Sequence, residues 1–252
     1  ITRLPYVKHI PHKVVKKLRL YEGLTEYIEE FKPEIIFLHG CQFLSIRQVV
    51  LYAINNPNVR IYVDNHADFI NSAKSWLSKN ILHRIIYRYC ANLIEPYTTK
   101  FYGVLPARVD FLVNVYNIPK HKVDLLVMGF DDSKVNFEQH LHIRSKIRKS
   151  LNINKSDFVI ITGGKIDRRK NIHNLMKAVS EINNNNIKLI VFGTPNEEMK
   201  SVIEKLSDNK KIINVGWVDS EKVYDYFFAS DLAFFPGTHS VLWEQAVGIG
   251  LP

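Results

Sequence analysis

Short apolar runs alternate with amphipathic segments along the whole chain. EIIFLH (34–39), RIYVDN (60–65), NLIEP (92–96) and VDLLVM (123–128) read as buried strands, as do FVIIT (158–162), KLIVF (188–192), KIINVG (211–216) and DLAFF (231–235). Helical patterns lie between them: Pro11 to Glu30, Ile46 to Ile54, Ser75 to Cys90, Asn171 to Ile182 and Ser220 to Ala229. Continuous short strands separated by helices predict parallel sheets covered on both faces. The fold class is therefore α/β, doubly wound. The alternation is interrupted once, by the polar stretch DDSKVNFEQH (131–140), and restarts at Phe158 after a basic, helix-like segment. This predicts two Rossmann-like domains, over 1–135 and 141–252.

Ligands of open α/β sheets sit outside the carboxyl ends of the strands, where loops enter helices. That rule selects three loops. GGKIDRRKN (163–171) follows a strand and carries four cationic side chains behind two glycines. Small residues let backbone N–H groups approach an anion, and the coming helix start adds positive potential. Lys165 and Lys170 could reach a diphosphate from one side, although the loop has neither Walker nor GxGxxG order; a solvated turn is the plain alternative. PGTHSVLWEQAVGIGLP (236–252) turns from a strand into a helix near Ser240 and Val241, with Glu244 one turn inside. There a carboxylate can accept two sugar hydroxyls or simply complement the helix dipole. VDNHADF (63–69) places His66 past a strand end, fit to bond a sugar or position a leaving group, or to serve as a structural histidine. His39-Gly40 poses the same choice.

Charge adds to this picture. The chain of 252 residues has a formal net charge of +9, spread evenly: 18 basic and 13 acidic residues up to residue 140, then 16 and 12. Such a balance suits anionic ligands or an anionic membrane surface. Nucleic-acid binding would call for aromatics interleaved with a basic strip, whereas most aromatics here fall inside apolar runs. Only Cys41 and Cys90 are present, which rules out a disulfide framework and points to a reducing, cytoplasmic setting. No apolar run nears the roughly 20 residues of a membrane span, and no signal-peptide pattern opens the chain. No His/Cys cluster has zinc spacing and no Ser/His/Asp set stands out. The segment PHKVVKKLRLY (11–21) spaces Val14, Val15, Leu18 and Tyr21 as a helix does, with Lys13, Lys16, Lys17 and Arg19 around them. This predicts a basic helix able to lie on an anionic bilayer.

Taken together, the loops resemble the retaining nucleotide-sugar glycosyltransferases of family 4, the glycosyl transferases group 1, which have the GT-B fold. The motifs are Gly164-Lys165 and Lys170-Asn171 around the charged loop, Gly193 after the next strand, NVGWV, SDLAFFPG, and YNIPKHKVDLLVMGFDD in the first block. Lys165 stands where that family has arginine, so the bidentate fork is lost. The family's paired glutamates are half present: Glu244 matches the second, while the position eight residues earlier is Pro236. His239 or Ser240 is the candidate substitute.

The resemblance implies sugar transfer with retention from a nucleotide-sugar, a UDP-sugar above all, to a glycan or lipid-linked acceptor in bacterial surface-polysaccharide synthesis, with no cofactor and no metal. His66 would be the catalytic residue near the donor sugar. Gly164, Lys165, Lys170, Ser240, Val241 and Glu244 would bind the donor, Glu244 through the ribose. The family's first strand with its glycine-rich loop, and its last strands, would lie outside 1–252, so the chain reads as a fragment. A peripheral position at the inner face of the membrane follows from the acceptor. A nucleotide-binding relative with little activity, and a basic membrane-surface or nucleic-acid module, are the rival readings.

Overall fold

A computed structural model describes residues 1–252 and divides into two compact units, Ile1–Val127 and Met128–Pro252. Residues 128–135 thus join the second unit rather than the first domain. The reason is packing: Phe130 and Val135 lie against the second unit's core, and the Phe130 ring meets Tyr224 and Phe137 edge-on.

The first unit holds a parallel sheet in the order β1-β2-β3-β4, built from Ile35–His39, Arg60–Asn65, Thr98–Gly103 and Val123–Leu125. Its helices are α1 (His12–Leu18), α2 (Leu24–Phe31), α3 (Ile46–Asn55), α4 (Arg88–Ile94) and α5 (Pro106–Asn114), with a wide π-type helix, Ser78–Tyr87, running directly into α4.

Several expectations fail here, among them VDLLVM as a buried strand: β4 ends at Leu125, and Leu125, Leu126 and Val127 are exposed. NLIEP is no strand: Cys90, Ala91 and Ile94 are buried at helical spacing in α4. The strand is TTKFYG just beyond it, where Thr98, Phe101 and Gly103 are buried. The helix expected over 11–30 is two helices. Arg19 takes a left-handed conformation at φ 53°, and Tyr21 bridges back to Tyr6. Only α1 remains of the basic helix, with Val15 buried and Val14 exposed. β1 alternates in exposure, leaving Ile35 and Phe37 open.

The second unit's sheet runs β7-β6-β5-β8, from Ile212–Gly216, Ile187–Phe192, Phe158–Gly163 and Leu232–Ala233. The central strands β5 and β6 are buried on both faces over most of their length, as continuous apolar runs predict. Val159, Ile161, Ile190 and Phe192 face a core with Val223, Tyr224 and Phe227 of α9 (Val223–Ala229) and Leu242 and Ala246 of α10 (Leu242–Gly248). Leu189 and Val191 face the other side, against Ile172, Met176 and Val179 of α7 (Ile172–Glu181) and Met199 and Ile203 of α8 (Glu197–Ser207). Each such aliphatic side chain is worth about 1.5–3 kcal/mol when fully buried.

α8 begins at Asn196, whose side chain accepts from Met199 N–H at 3.1 Å, a standard way to satisfy a free helix-start donor. α6 (His140–Ser150) is pinned by arginines. Arg148 donates to Ala229 O, Asn154 O, Asp157 O and Asp231 Oδ2, and Arg144 to Phe228 O, Ser230 O and Asp231 Oδ1.

Candidate nucleotide-sugar site

In the second sheet, strands step outward from β5 through β6 to β7, then the chain returns to pair β8 on β5's other side. The order reverses between β5 and β8. A crevice opens outside the carboxyl ends of two strands at such a point, and this is where α/β sheets bind ligands. The loops that flank it are 164–171 and 236–241, two of the three that the sequence selects.

The two loops are tied together. Lys170 Nζ donates to Thr238 O at 2.7 Å and His239 O at 3.1 Å, and Asn171 Nδ2 reaches Pro236 O at 3.4 Å. Burial holds the Lys170 ammonium below its ordinary pKa. Gly237 allows the approach, since a Cβ there would lie 2.4 Å from Lys170 Cα. Asp167 organises the charged turn: it accepts from Arg169 N–H at 3.0 Å and from the Arg169 guanidinium at 2.6 Å, and the latter contact keeps its carboxyl below the usual range. Arg168 pairs with Glu198 at 3.1 Å. Lys165 is exposed and has no carboxylate partner. Of the four cations in GGKIDRRKN, two are therefore committed to acids, one to loop carbonyls, and one is free.

Glu244 sits in the first turn of α10, its Oε1 accepting from His239 Nε2 at 2.7 Å. Its Oε2 is buried without a partner, as is the Thr162 hydroxyl at the end of β5. A buried carboxylate oxygen with nothing to accept from is costly and is satisfied by an ordered water or by a ligand donor. His239 occupies the place beside Glu244 that pattern reasoning left undecided, and Ser240 lines the crevice instead.

Next to it lies a cavity of about 530 Å3 whose rim carries Gly164, Lys165, Ser240 and Val241 and whose wall includes Trp217 and Leu242. Trp217 is 72% exposed. Sequence reasoning passed over it; the signal was a large aromatic standing just outside the strand in NVGWV. The backbone beneath is close-set: Gly193, at φ +113°, would place a Cβ 1.9 Å from Gly164 O. Of the six expected residues, Gly164, Lys165, Ser240 and Val241 line this cavity and Lys170 the crevice, while Glu244 lies behind them in α10, tied to His239.

His66 lies in the first unit, at the mouth of a cavity of about 540 Å3 beyond the ends of β1 and β2. Asp64 Oδ2 accepts from His39 Nδ1 at 2.8 Å and His66 Nε2 at 3.1 Å, and the two rings are 4.3 Å apart. The carboxylate thus orients both rings and leaves His39 Nε2 and His66 Nδ1 turned away from Asp64. These side chains' ligand atoms lie within 4.8 Å of one another, near enough to share one cation, a grouping the search for zinc spacing along the chain could not see. Lys17 and Arg19 line the same cavity and none of its lining residues is acidic. His83, also in the wall, donates or accepts with Tyr116 OH at 2.8 Å, and burial lowers its pKa to about 4, so it is neutral near pH 7. Cys41 and Cys90 are buried free thiols, raised by burial to about 12 and about 11.

Residues 143–249 match the family Glycosyl transferases group 1. The match covers α6 through α10 and both crevice loops. An uncharacterized glycosyltransferase of Methanocaldococcus jannaschii is 19% identical over 145 residues, 55% of this chain and 37% of that protein. Among solved structures, HepE of Anabaena in complex with UDP superposes with a TM-score of 0.65 at 14% identity, over 91% of this chain and 61% of its own. WaaG, a glycosyltransferase involved in lipopolysaccharide biosynthesis, gives 0.65 at 15% identity, over 100% and 66%. The fold is that of the GT-B glycosyltransferases, two Rossmann-like units. The chain spans less than two thirds of the length of each of these relatives.

Proposed function

We propose that the chain is part of a retaining glycosyltransferase of family 4 that moves a sugar from a nucleotide-sugar, a UDP-sugar first, to a glycan or lipid-linked acceptor in surface-polysaccharide synthesis. The observation that carries this reading is the crevice at the β5/β8 reversal with its neighbouring cavity, where Lys165, Lys170 and Ser240 gather, one turn of α10 from Glu244. HepE has been solved with UDP-glucose, which supports the donor class.

In this reading Glu244 accepts the ribose hydroxyls, held in place by His239. Lys165 and Lys170 offset the diphosphate charge that grows as the glycosidic bond breaks, so the leaving group is stabilised by fixed cations and no divalent ion is required. Trp217 and Leu242 form an apolar wall for the base. His66, oriented by Asp64, hydrogen-bonds a sugar hydroxyl through Nδ1. The Lys17 and Arg19 lining suits an acceptor carrying negative charge. The protein would act in the cytoplasm, peripherally at the inner face of the membrane; no helix is long and apolar enough to cross one.

The test is thermal unfolding of the full-length protein with UDP-, GDP- and ADP-sugars. A ligand at a hundred times its Kd stabilises the native state by about 2.7 kcal/mol, and no shift from any of the three would overturn the reading. Lys170→Ala removes a charge-assisted contact worth about 1.5–3 kcal/mol, or roughly ten- to a hundredfold in nucleotide affinity. It also unties Thr238 and His239, so a smaller fall in melting temperature accompanies the loss. Titration calorimetry with UDP checks it; unchanged affinity would remove Lys170 from the diphosphate site.

A further inference from the structure

The sheet register of the first unit brings three ligating side chains to one spot. His39 is the last residue of β1 and pairs across the sheet with Asp64 of β2. Paired residues of neighbouring strands share a face, and so do residues two apart along one strand. His66, two residues beyond Asp64, therefore joins the same side at the carboxyl end of the sheet. Asp64 Oδ2 lies 2.8 Å from His39 Nδ1 and 3.1 Å from His66 Nε2, and the ligand atoms of the three side chains all lie within 4.8 Å of one another.

The Asp64 carboxylate is what this arrangement has to explain. It is buried, its Oδ1 has no hydrogen-bond partner, and its ion-pair partners are the two imidazoles alone. Asp68 and Asp167, similarly buried, each hold an arginine. Buried charges are paired or coordinate metals. Two imidazole nitrogens and one carboxylate oxygen form a ligand set for a borderline-soft divalent ion such as Zn2+, whereas Mg2+ and Ca2+ take oxygen ligands. Metal bonds of about 2.0–2.1 Å in a tetrahedron set the ligand atoms roughly 3.3 Å apart, so the two measured edges need to open only slightly. His39, whose side chain is 74% exposed, has room to close the third, while Asp64 stays fixed in the sheet.

We infer that His39, Asp64 and His66 bind one divalent transition-metal ion of the Zn2+ class, through His39 Nδ1, Asp64 Oδ2 and His66 Nε2. Three protein ligands leave a coordination position for a molecule from the cavity that both histidines line. Lys17 and Arg19 line the same cavity, which suits an oxyanion or a water in that position. The same two cations oppose any divalent ion, so affinity comes from the directed imidazole bonds, and this again selects Zn2+ over Mg2+. With the ion bound, each ring carries its proton on the outer nitrogen, and His66 Nδ1 offers the cavity an N–H donor. The inference concerns the first unit alone and does not rest on the nucleotide-sugar reading.

The test is titration of the full-length protein with Co2+, an optical stand-in for Zn2+. Wild type is expected to take up one ion per chain and to develop the intense visible bands of a four-coordinate site, which Zn2+ abolishes and excess Mg2+ leaves unchanged. Zn2+ should also raise the melting temperature by mass action. His39→Ala should weaken uptake roughly a hundredfold or more, because even a group that merely orients a metal ligand is worth about 10–100-fold. The His39 side chain is exposed, and melting without metal verifies that this variant folds as wild type does. His9→Ala with His12→Ala, two exposed histidines of the same unit, should leave uptake as it is. The pale spectrum of a six-coordinate ion, uptake that survives His39→Ala, or uptake lost with His9 and His12 instead overturns the proposal. UDP affinity, read on the same samples, reports on the nucleotide site separately.

Discussion

Replacing Arg148 by methionine is expected to destabilise the second unit by about 3–5 kcal/mol, the usual cost of breaking a buried ion pair from one side. Arg148 is 6% exposed, and its guanidinium serves Ala229 O, Asn154 O, Asp157 O and the Asp231 carboxylate. Methionine preserves the stem's packing and leaves those acceptors bare. For a unit of this size the fall in melting temperature is about 10–20 °C, measured by calorimetry. Arg148→Lys recovers little, because an ammonium cannot fork to four acceptors.

The same network gives the pH response. Burial pushes the Asp231 carboxyl up, but the Val159 N–H, Arg144 and Arg148 outweigh it, and its pKa in the fold lies below the ordinary value. The unfolded chain therefore binds this proton more readily than the folded one. The contribution is complete above about pH 4 and disappears as pH falls through the lower, folded value. Asp231→Asn should flatten the acid limb of the stability curve.

The second large effect is at Gly193. Alanine there meets a backbone conformation at φ +113° that only glycine adopts readily, and its methyl carbon would fall on Gly164 O. Strain and displacement together cost on the order of 3 kcal/mol. Neither contact is with a flexible side chain, so the relief must come from moving the Gly164–Lys165 turn, which lines the crevice. UDP affinity should drop by more than a hundredfold, by analogy with about 3 kcal/mol of lost binding, alongside a lower melting temperature. A Gly193→Ala protein with normal UDP binding would show that this turn does not touch the nucleotide.

Why some of this was legible and some was not can be traced to particular residues. The sheets of the second unit follow directly from FVIIT and KLIVF, because a strand buried on both faces must be apolar throughout. The strand-end rule then led to Lys165, Lys170, Ser240 and Glu244 without any coordinates. NLIEP deceived because so short a segment carries no period, so Leu93 and Ile94 at the end of a helix looked like the middle of a strand. TTKFYG was missed for the opposite reason, its polar threonines masking a strand of β-branched and aromatic character. The break after Leu18 depended on Arg19 accepting a left-handed backbone, which no propensity announces. The bond from His239 to Glu244, the carbonyls held by Lys170, and the triple grouping of His39, Asp64 and His66 join residues by folding alone. A linear pattern names such residues singly and cannot pair them. The amphipathicity of the Ser78–Tyr87 helix was visible, but which side faces inward is decided by His83 and Tyr87 finding the cavity.

The reversed strand order also sets a timetable for the nascent chain. β5, β6 and β7 can pair as each emerges, being neighbours in sequence as well as in space. β8 must come back across 72 residues for Asp231 to reach the Val159 N–H, and Lys170 waits a further interval, 68 residues in all, for Thr238. Long-range pairing of this kind is slow, since loop closure is paid before the contact forms. During synthesis the second unit therefore exists for a time as a three-stranded sheet with β5 as an open edge, its core side lacking α9 and α10 and its crevice lacking one wall. Any ligand that needs the 236–241 loop can act as a folding aid only after Ser240 has left the ribosome, and a chain stalled before Asp231 exposes Val159 and Ile161 to any other strand edge at hand.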